Sequence, residues 1–164
     1  MSIPVVSIVG RHSNSGKTTL LVKLISEAKR RGWRVAAVKH DVHGFEMDKP
    51  GKDTWRFAQA GADVVAISSP QKMAMLEVVH EERTLDQVLE RIQDVDLIFT
   101  EGYKHEKKPR IEVFRSEVHV ELYSQPEELI AIASDVSFDE GVPCFDLEDA
   151  VGICDFLAEK YGLE

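Results

Sequence analysis

The sequence predicts an α/β fold, with a mostly parallel sheet, helices on both faces and some antiparallel edge strands. Three observations carry that expectation. Short apolar runs alternate with segments of helical periodicity, as strands joined by crossover helices do. The first apolar run passes through a Gly-rich turn straight into a helix. Several runs end in charged or small residues, at the strand ends where ligands of parallel sheets gather.

Val5–Val9 reads as a buried strand, because every side chain except Ser7 is apolar and β-branched. Leu20, Leu21, Leu24, Ile25 and Ala28 then recur at helical spacing, and Gly32 ends that helix. Residues 34–39, with the core VAAV, form a second buried strand. It delivers Lys39, His40, Asp41 and His43 to its C-terminal end. Gly44, Pro50 and Gly51 make residues 42–52 a loop, followed by a short helix at 53–60 and a strand at Val64–Ser68. Residues 72–80 read as an edge or antiparallel strand. Thr84 and Gln87 have capping-box spacing and open a helix through Leu89 and Ile92. Leu97–Glu101, residues 111–115 and residues 129–133 are further strands. Asp146 caps a final amphipathic helix carrying Val151, Cys154, Leu157, Ala158 and Tyr161.

The 164 residues suit one domain, a phosphate-binding unit spanning 1–164. The net charge of −9 makes nucleic acid and anionic membranes poor partners, so any bound anion needs a local site working against the global field. No apolar stretch approaches the roughly 20 residues of a membrane span, and the first residues lack a signal-peptide pattern. Cys144 and Cys154 form no CxxC pair and are expected as reduced core thiols in a cytoplasmic protein.

The turn after the first strand reads GRHSNSGKTT. Its Gly10, Gly16, Lys17 and Thr18 are read as the elements of a G-x-x-x-x-G-K-T phosphate loop, and so of a P-loop NTPase fold. Backbone N–H groups from Ser13, Asn14 and Ser15 through Gly16, Lys17, Thr18 and Thr19 can wrap phosphates, and the helix adds the positive end of its dipole. Lys17 can reach the β- and γ-phosphates, and the Thr18 hydroxyl can bind Mg²⁺. Such a site needs an acid from a neighbouring strand. Glu101 at the end of LIFTE and Asp41 at the end of the second strand are equal candidates, whereas Asp96 lies at the wrong end and suits a turn or cap. His40, Asp41 and His43 lack the second pair that zinc spacing requires and read as a loop lining the γ-phosphate. The guanine-reading N-K-x-D motif is absent. Asp135, beside Ser134, is either a carboxylate for guanine's N1–H and amine or a turn residue bonding its own backbone.

GRHSNSGKTTL, VKHDVHGFEMDKPGKDTWR, VDLIFTEGYKHEKKPRIEVFR and LIAIASDV together resemble the molybdopterin-guanine dinucleotide biosynthesis protein B (MobB) family over nearly the whole chain. The resemblance implies a GTP-binding homodimer with weak GTPase activity. Such a protein assists a molybdenum cofactor guanylyltransferase that attaches GMP to molybdopterin, with molybdopterin itself a further candidate ligand. By matching motif, Gly10, Ser13, Asn14, Ser15, Gly16, Lys17, Thr18 and Thr19 would hold the phosphates of GTP and Mg²⁺. Lys39, His40 and Asp41, with Glu101, would face the γ-phosphate side, and Ser134 and Asp135 the base. The basic run Lys104, His105, Lys107, Lys108 and Arg110 reads first as a solvated charge run and second as a phosphate or partner contact. The main alternative to the adapter is a small-molecule kinase, although no Arg-rich lid is evident and Arg56, Arg110 and Arg115 are scattered. A third reading makes the nucleotide a structural ligand of the dimer.

Overall fold

The computed structural model describes residues 2–164, and the alternation becomes eight strands and four α-helices among them. In chain order they are β1 (Val5–Val9), α1 (Lys17–Arg30), β2 (Val35–Lys39), α2 (Asp53–Gln59), β3 (Val64–Ser68), β4 (Met73–Glu77) and α3 (Leu85–Leu89). There follow β5 (Leu97–Glu101), β6 (Arg110–Phe114), a 3-10 turn at Pro126–Glu128, β7 (Leu129–Ser134), β8 (Cys144–Phe145) and α4 (Ala150–Tyr161). Six strands make one sheet in the order β2-β5-β1-β6-β7-β8, and every pairing in it is parallel. The C-terminal strand ends therefore share one edge, which carries Gly10, Lys39, Glu101, Arg115 and Ser134. The antiparallel element predicted at 72–80 is β4, which pairs with β3 as a separate two-stranded sheet.

The chain divides into two compact units. One comprises the residues through His40 together with Leu89–Glu164 and contains the parallel sheet, α1 and α4. The other, Asp41–Val88, contains α2 and the β3–β4 hairpin. In the first unit, Leu20, Leu21, Leu24 and Ala28 of α1 and Ala150, Ile153, Cys154 and Leu157 of α4 pack with Val6, Ile8, Phe99, Ile111 and Val113 of the strands. The helical spacing read from the sequence is that apolar stripe.

Several boundaries differ from expectation. The segment 34–39 was expected to be buried on both faces, but β2 is the edge strand and Ala37 is exposed. The last helix is capped by Asp149, whose carboxylate accepts the Gly152 N–H at 2.8 Å. Asp146 instead accepts the Glu148 N–H one turn earlier. Cys154 is a core thiol, and burial pushes it up to about 11. Cys144 is exposed, because it lies on the short outer strand β8. The Thr84–Gln87 box forms reciprocally, at 3.0 and 3.2 Å, and α3 then ends at Leu89, short of Ile92. No helix among the described residues is long and apolar enough to cross a membrane.

Candidate nucleotide-binding site

The turn after β1 is closed by its own side chains. Ser15, fully buried, donates from Oγ to the His12 carbonyl at 3.0 Å. The Lys17 Nζ donates to the same carbonyl at 2.5 Å and to Ser15 Oγ at 3.2 Å. Gly16 caps α1 with φ of 89°, a left-handed conformation that suits glycine. Five residues separate Gly10 from Gly16, one more than the G-x-x-x-x-G-K-T spacing, and Arg11 stands where strict spacing places the first glycine. That correction leaves Gly10 in its structural role, since a Cβ there would lie 2.5 Å from Ser15 Oγ.

α1 then presents its N-terminus with no acidic side chain in the first turn, so nothing in that turn competes with an incoming anion. Lys17 is only 6% exposed. Burial, helped by nearby Lys104 and opposed by Glu101, lowers its pKa from the usual lysine range. A cation with few water partners is the kind that gains most from a phosphate. Thr18 and Thr19 are exposed on the first turn of α1, and Ser13 and Asn14 are exposed on the loop.

Strand register brings the acid to the loop. β5 is adjacent to β1 with Ile8 opposite Glu101, and β2 is adjacent to β5 with Lys39 opposite Glu101. The Thr18 hydroxyl lies 3.0 Å from both Glu101 oxygens. The structure thus brings together Thr18 and Glu101, the hydroxyl and carboxylate read from sequence as metal-shell groups. Both are hard oxygen donors of the kind Mg²⁺ takes. His40 follows Lys39, donates its N–H to the Glu101 carbonyl at 2.9 Å and stacks on Tyr103 at 4.7 Å. Asp41 begins the second unit, where its carboxylate accepts the His43 N–H at 3.0 Å. Asp96 accepts the Arg34 N–H at 2.7 Å, the cap role expected of it. Among the described residues no group of three or more His, Cys, Asp or Glu could hold a metal by itself.

At the other side of the loop, Ser134 is buried and its Oγ accepts the Val136 N–H at 3.0 Å. Asp135 is exposed and accepts from the Ser116 N–H, at 2.9 and 3.2 Å, and from the Ser116 hydroxyl at 2.9 Å. The Ser116 N–H is the main reason its carboxyl lies below the usual range. Asp135 therefore ties the end of β7 to the residues after β6, and its own backbone N–H also bonds its carboxylate, the turn role read as the alternative.

The basic run is not uniformly solvated. Arg110 is 3% exposed and donates to the Lys104 and Glu106 carbonyls at 2.7 and 3.0 Å, holding the loop from inside. Lys104 donates to the Arg11 carbonyl at 2.9 Å, while His105 and Lys107 are exposed. Sequence reading missed Lys104, Arg115 and His119 as neighbours of the phosphate loop. Only the alternation R-I-E-V-F in β6, with Arg110 and Glu112 on one face, signalled that this strand has a polar side. A cavity of about 640 Å³ lies in the second unit, bordered by Lys49, Lys52, Lys72, Val65 and Leu76, and no phosphate-loop residue lines it.

Comparison with known proteins agrees with this geometry. The family model for molybdopterin guanine dinucleotide synthesis protein B matches residues 5–135. The molybdopterin-guanine dinucleotide biosynthesis adapter protein of Escherichia coli K12 is 40% identical over 157 residues, covering 90% of this chain and 87% of its own. The Haemophilus influenzae adapter protein is 34% identical, covering 94% and 88%. A crystal structure of molybdopterin-guanine biosynthesis protein B superposes with a TM-score of 0.73 at 32% identity, covering 96% of this chain and 99% of that one. Bacillus subtilis MobB gives 0.77 at 26% identity, covering 96% and 98%. A parallel sheet with a phosphate loop after its first strand, matched along most of its length, makes this chain a member of the molybdopterin-guanine dinucleotide biosynthesis protein B family.

Proposed function

We propose that the chain is a GTP-binding adapter of molybdenum cofactor biosynthesis, assisting a partner guanylyltransferase that attaches GMP to molybdopterin. The observation that carries the nucleotide reading is Thr18 Oγ1 set 3.0 Å from both Glu101 oxygens, beside buried Lys17. Thr18 and Glu101 would hold Mg²⁺, which when bound neutralises charge on the phosphates. Lys17 leaves the His12 carbonyl to meet the β- and γ-phosphates. The N–H groups of Ser13, Asn14, Ser15, Gly16, Thr18 and Thr19, past the close approach at Gly10, cradle the rest. Lys39, His40 and Asp41 serve the γ-phosphate side, with Asp41 a second candidate for the Mg²⁺ shell.

For the base, Ser134 and Asp135 favour guanine. Asp135 is an exposed carboxylate at a strand end, and guanine's N1–H and amine would offer it a donor pair that adenine lacks, in exchange for part of its hold on Ser116. The adapter role is supported by the names that the Escherichia coli and Haemophilus influenzae relatives bear. A homodimer is part of the proposal. On one face of the hairpin, Val64, Met73 and Met75 are 51%, 66% and 54% exposed, an apolar surface suited to a second copy. Intrinsic hydrolysis is slow, because no motif places a water-orienting glutamine at the loop.

Calorimetric titration with GTP and with ATP, each with Mg²⁺, tests the reading. A preference for GTP that Lys17→Ala abolishes is the expected result. Equal or tighter binding of ATP would remove the Asp135 assignment and favour the kinase. Rapid turnover by the isolated protein would overturn slow hydrolysis.

A further inference from the structure

Two buried N–H groups beside the phosphate loop have no acceptor among the described residues, and both belong to one turn. They are Arg115 Nε and His119 Nε2. The Arg115 carbonyl accepts the Val118 and His119 N–H groups at 3.1 and 2.9 Å, which closes the turn directly after β6. His119, 5% exposed, accepts the Arg115 N–H on Nδ1 at 3.0 Å. With Nδ1 an acceptor, the neutral ring carries its proton on Nε2, and that atom is a donor facing no partner.

The same turn touches the phosphate loop at two points. The His119 ring stacks on His12 with centroids 5.4 Å apart and 3° between the planes. The Arg115 guanidinium lies against Gly16, where an added Cβ would meet Nε at 3.2 Å and Cζ at 3.5 Å. His12 and Gly16 belong to the turn in which Ser15 and Lys17 share the His12 carbonyl. Buried donors without acceptors are uncommon in folded chains, and a phosphate supplies acceptors only.

Resting on the nucleotide reading above, we propose that Arg115 and His119 are positioning residues of the phosphate site, bracing the loop at Gly16 and His12 and setting its affinity for the nucleotide. Burial, together with His12 and Lys17, disfavours a charge on His119, while Glu112 opposes them and the Arg115 N–H is bonded to its ring. Protonation at Nδ1 would expel the Arg115 N–H and open the turn. Affinity for the nucleotide then declines as pH falls through the lower part of the histidine range.

The test is calorimetry with Mg²⁺ and GTP or ATP on wild type, Lys17→Ala, Arg115→Gln and His119→Asn between pH 8 and pH 5, with melting of each empty protein alongside. Each turn variant should bind about tenfold more weakly, the equivalent of about 1.4 kcal/mol. His119→Asn should also lose the part of the pH dependence that exceeds the ligand's own phosphate protonation. Arg115→Lys and His119→Gln serve where a first variant does not fold. Turn variants that bind within about twofold of wild type, with the wild-type pH slope intact in the His119 variant, would overturn the brace alone if Lys17→Ala still abolishes binding. A wild type that binds neither nucleotide would overturn the brace and the nucleotide reading together.

Discussion

The two faces of the parallel sheet are built differently, although the same strands supply both. On one face Val6, Ile8, Leu97, Phe99, Ile111, Val113, Ala131 and Ala133 alternate into the core under α1 and α4. On the other, Ser7 pairs with Thr100 through their hydroxyls at 2.8 Å, and Arg110 and Glu112 are almost fully buried. Arg110 pins residues 104 and 106 by their carbonyls and bonds Glu128 at 3.0 Å. Glu112 accepts the Tyr123 and Ser124 N–H groups at 2.6 and 2.8 Å. The apolar face holds helices, which satisfy their own backbone and need only area. The polar face holds irregular chain, whose backbone groups need named partners when buried. Those pinned segments flank the phosphate loop, through Lys104 at the Arg11 carbonyl and His119 at His12. The polar face thus braces the loop from one side, while Glu101, on the same face as Leu97 and Phe99, meets Thr18 of α1 from the other.

Mutation of each face separates these roles. The largest effect is expected from Leu157→Ala, which leaves a cavity among fully buried neighbours and should cost about 3 kcal/mol in urea unfolding. The loss should be global, with amide protection falling in α1, α4 and the strands together. Glu112→Gln should cost less, about 2 kcal/mol, since one N–H then faces an amide NH₂ instead of an oxygen. Its signature is local: exchange should accelerate at Tyr123 and Ser124 beyond the global change. If Glu112→Gln proved silent at those two amides, the pinning role would be refuted.

The same contrast explains what the sequence could reveal. The apolar face was legible because β-branched runs and the Leu20, Leu24, Ala28 stripe have fixed periods. The Thr84–Gln87 cap was legible for the same reason, since its partners are three residues apart. Within the candidate site, the loop at Gly16 and Lys17 and the strand end at Glu101 carry local signals, and the sheet brings them together. The polar face was not legible. Glu112 finds Tyr123 and Ser124 through an irregular excursion, and Ser7 finds Thr100 across 93 positions, with no period to announce either. Arg110 read as one charge in a basic run because nothing local marks it as buried. Cys144 read as core because thiols usually are, yet β8 is a two-residue outer strand.

The smallest expected effect tests whether the helical side is as charge-free as its core. It is not at its rim. Glu27 of α1 accepts from Arg30 and Arg31 at 2.7 Å, and Arg31 continues to Asp155 at 2.8 Å and the Val151 carbonyl at 3.1 Å on α4. The Arg30 hydrogen bonds, then those of Arg31, hold the Glu27 carboxyl at about 2 against its ordinary value of 4.5. A carboxyl depressed on folding stabilises the protein above its unfolded pKa, so this contribution is complete at neutral pH. It is lost as pH falls from about 4.5 towards 2, when the unfolded chain takes up the proton first. Glu27→Gln should flatten that part of the acid limb of the melting temperature while leaving the limb above pH 5 nearly parallel to wild type. High salt should shrink the difference, since the Arg30 side chain is 69% exposed and its interaction screened. An acid limb unchanged by the substitution would refute the contribution of the Glu27 cluster to stability in acid.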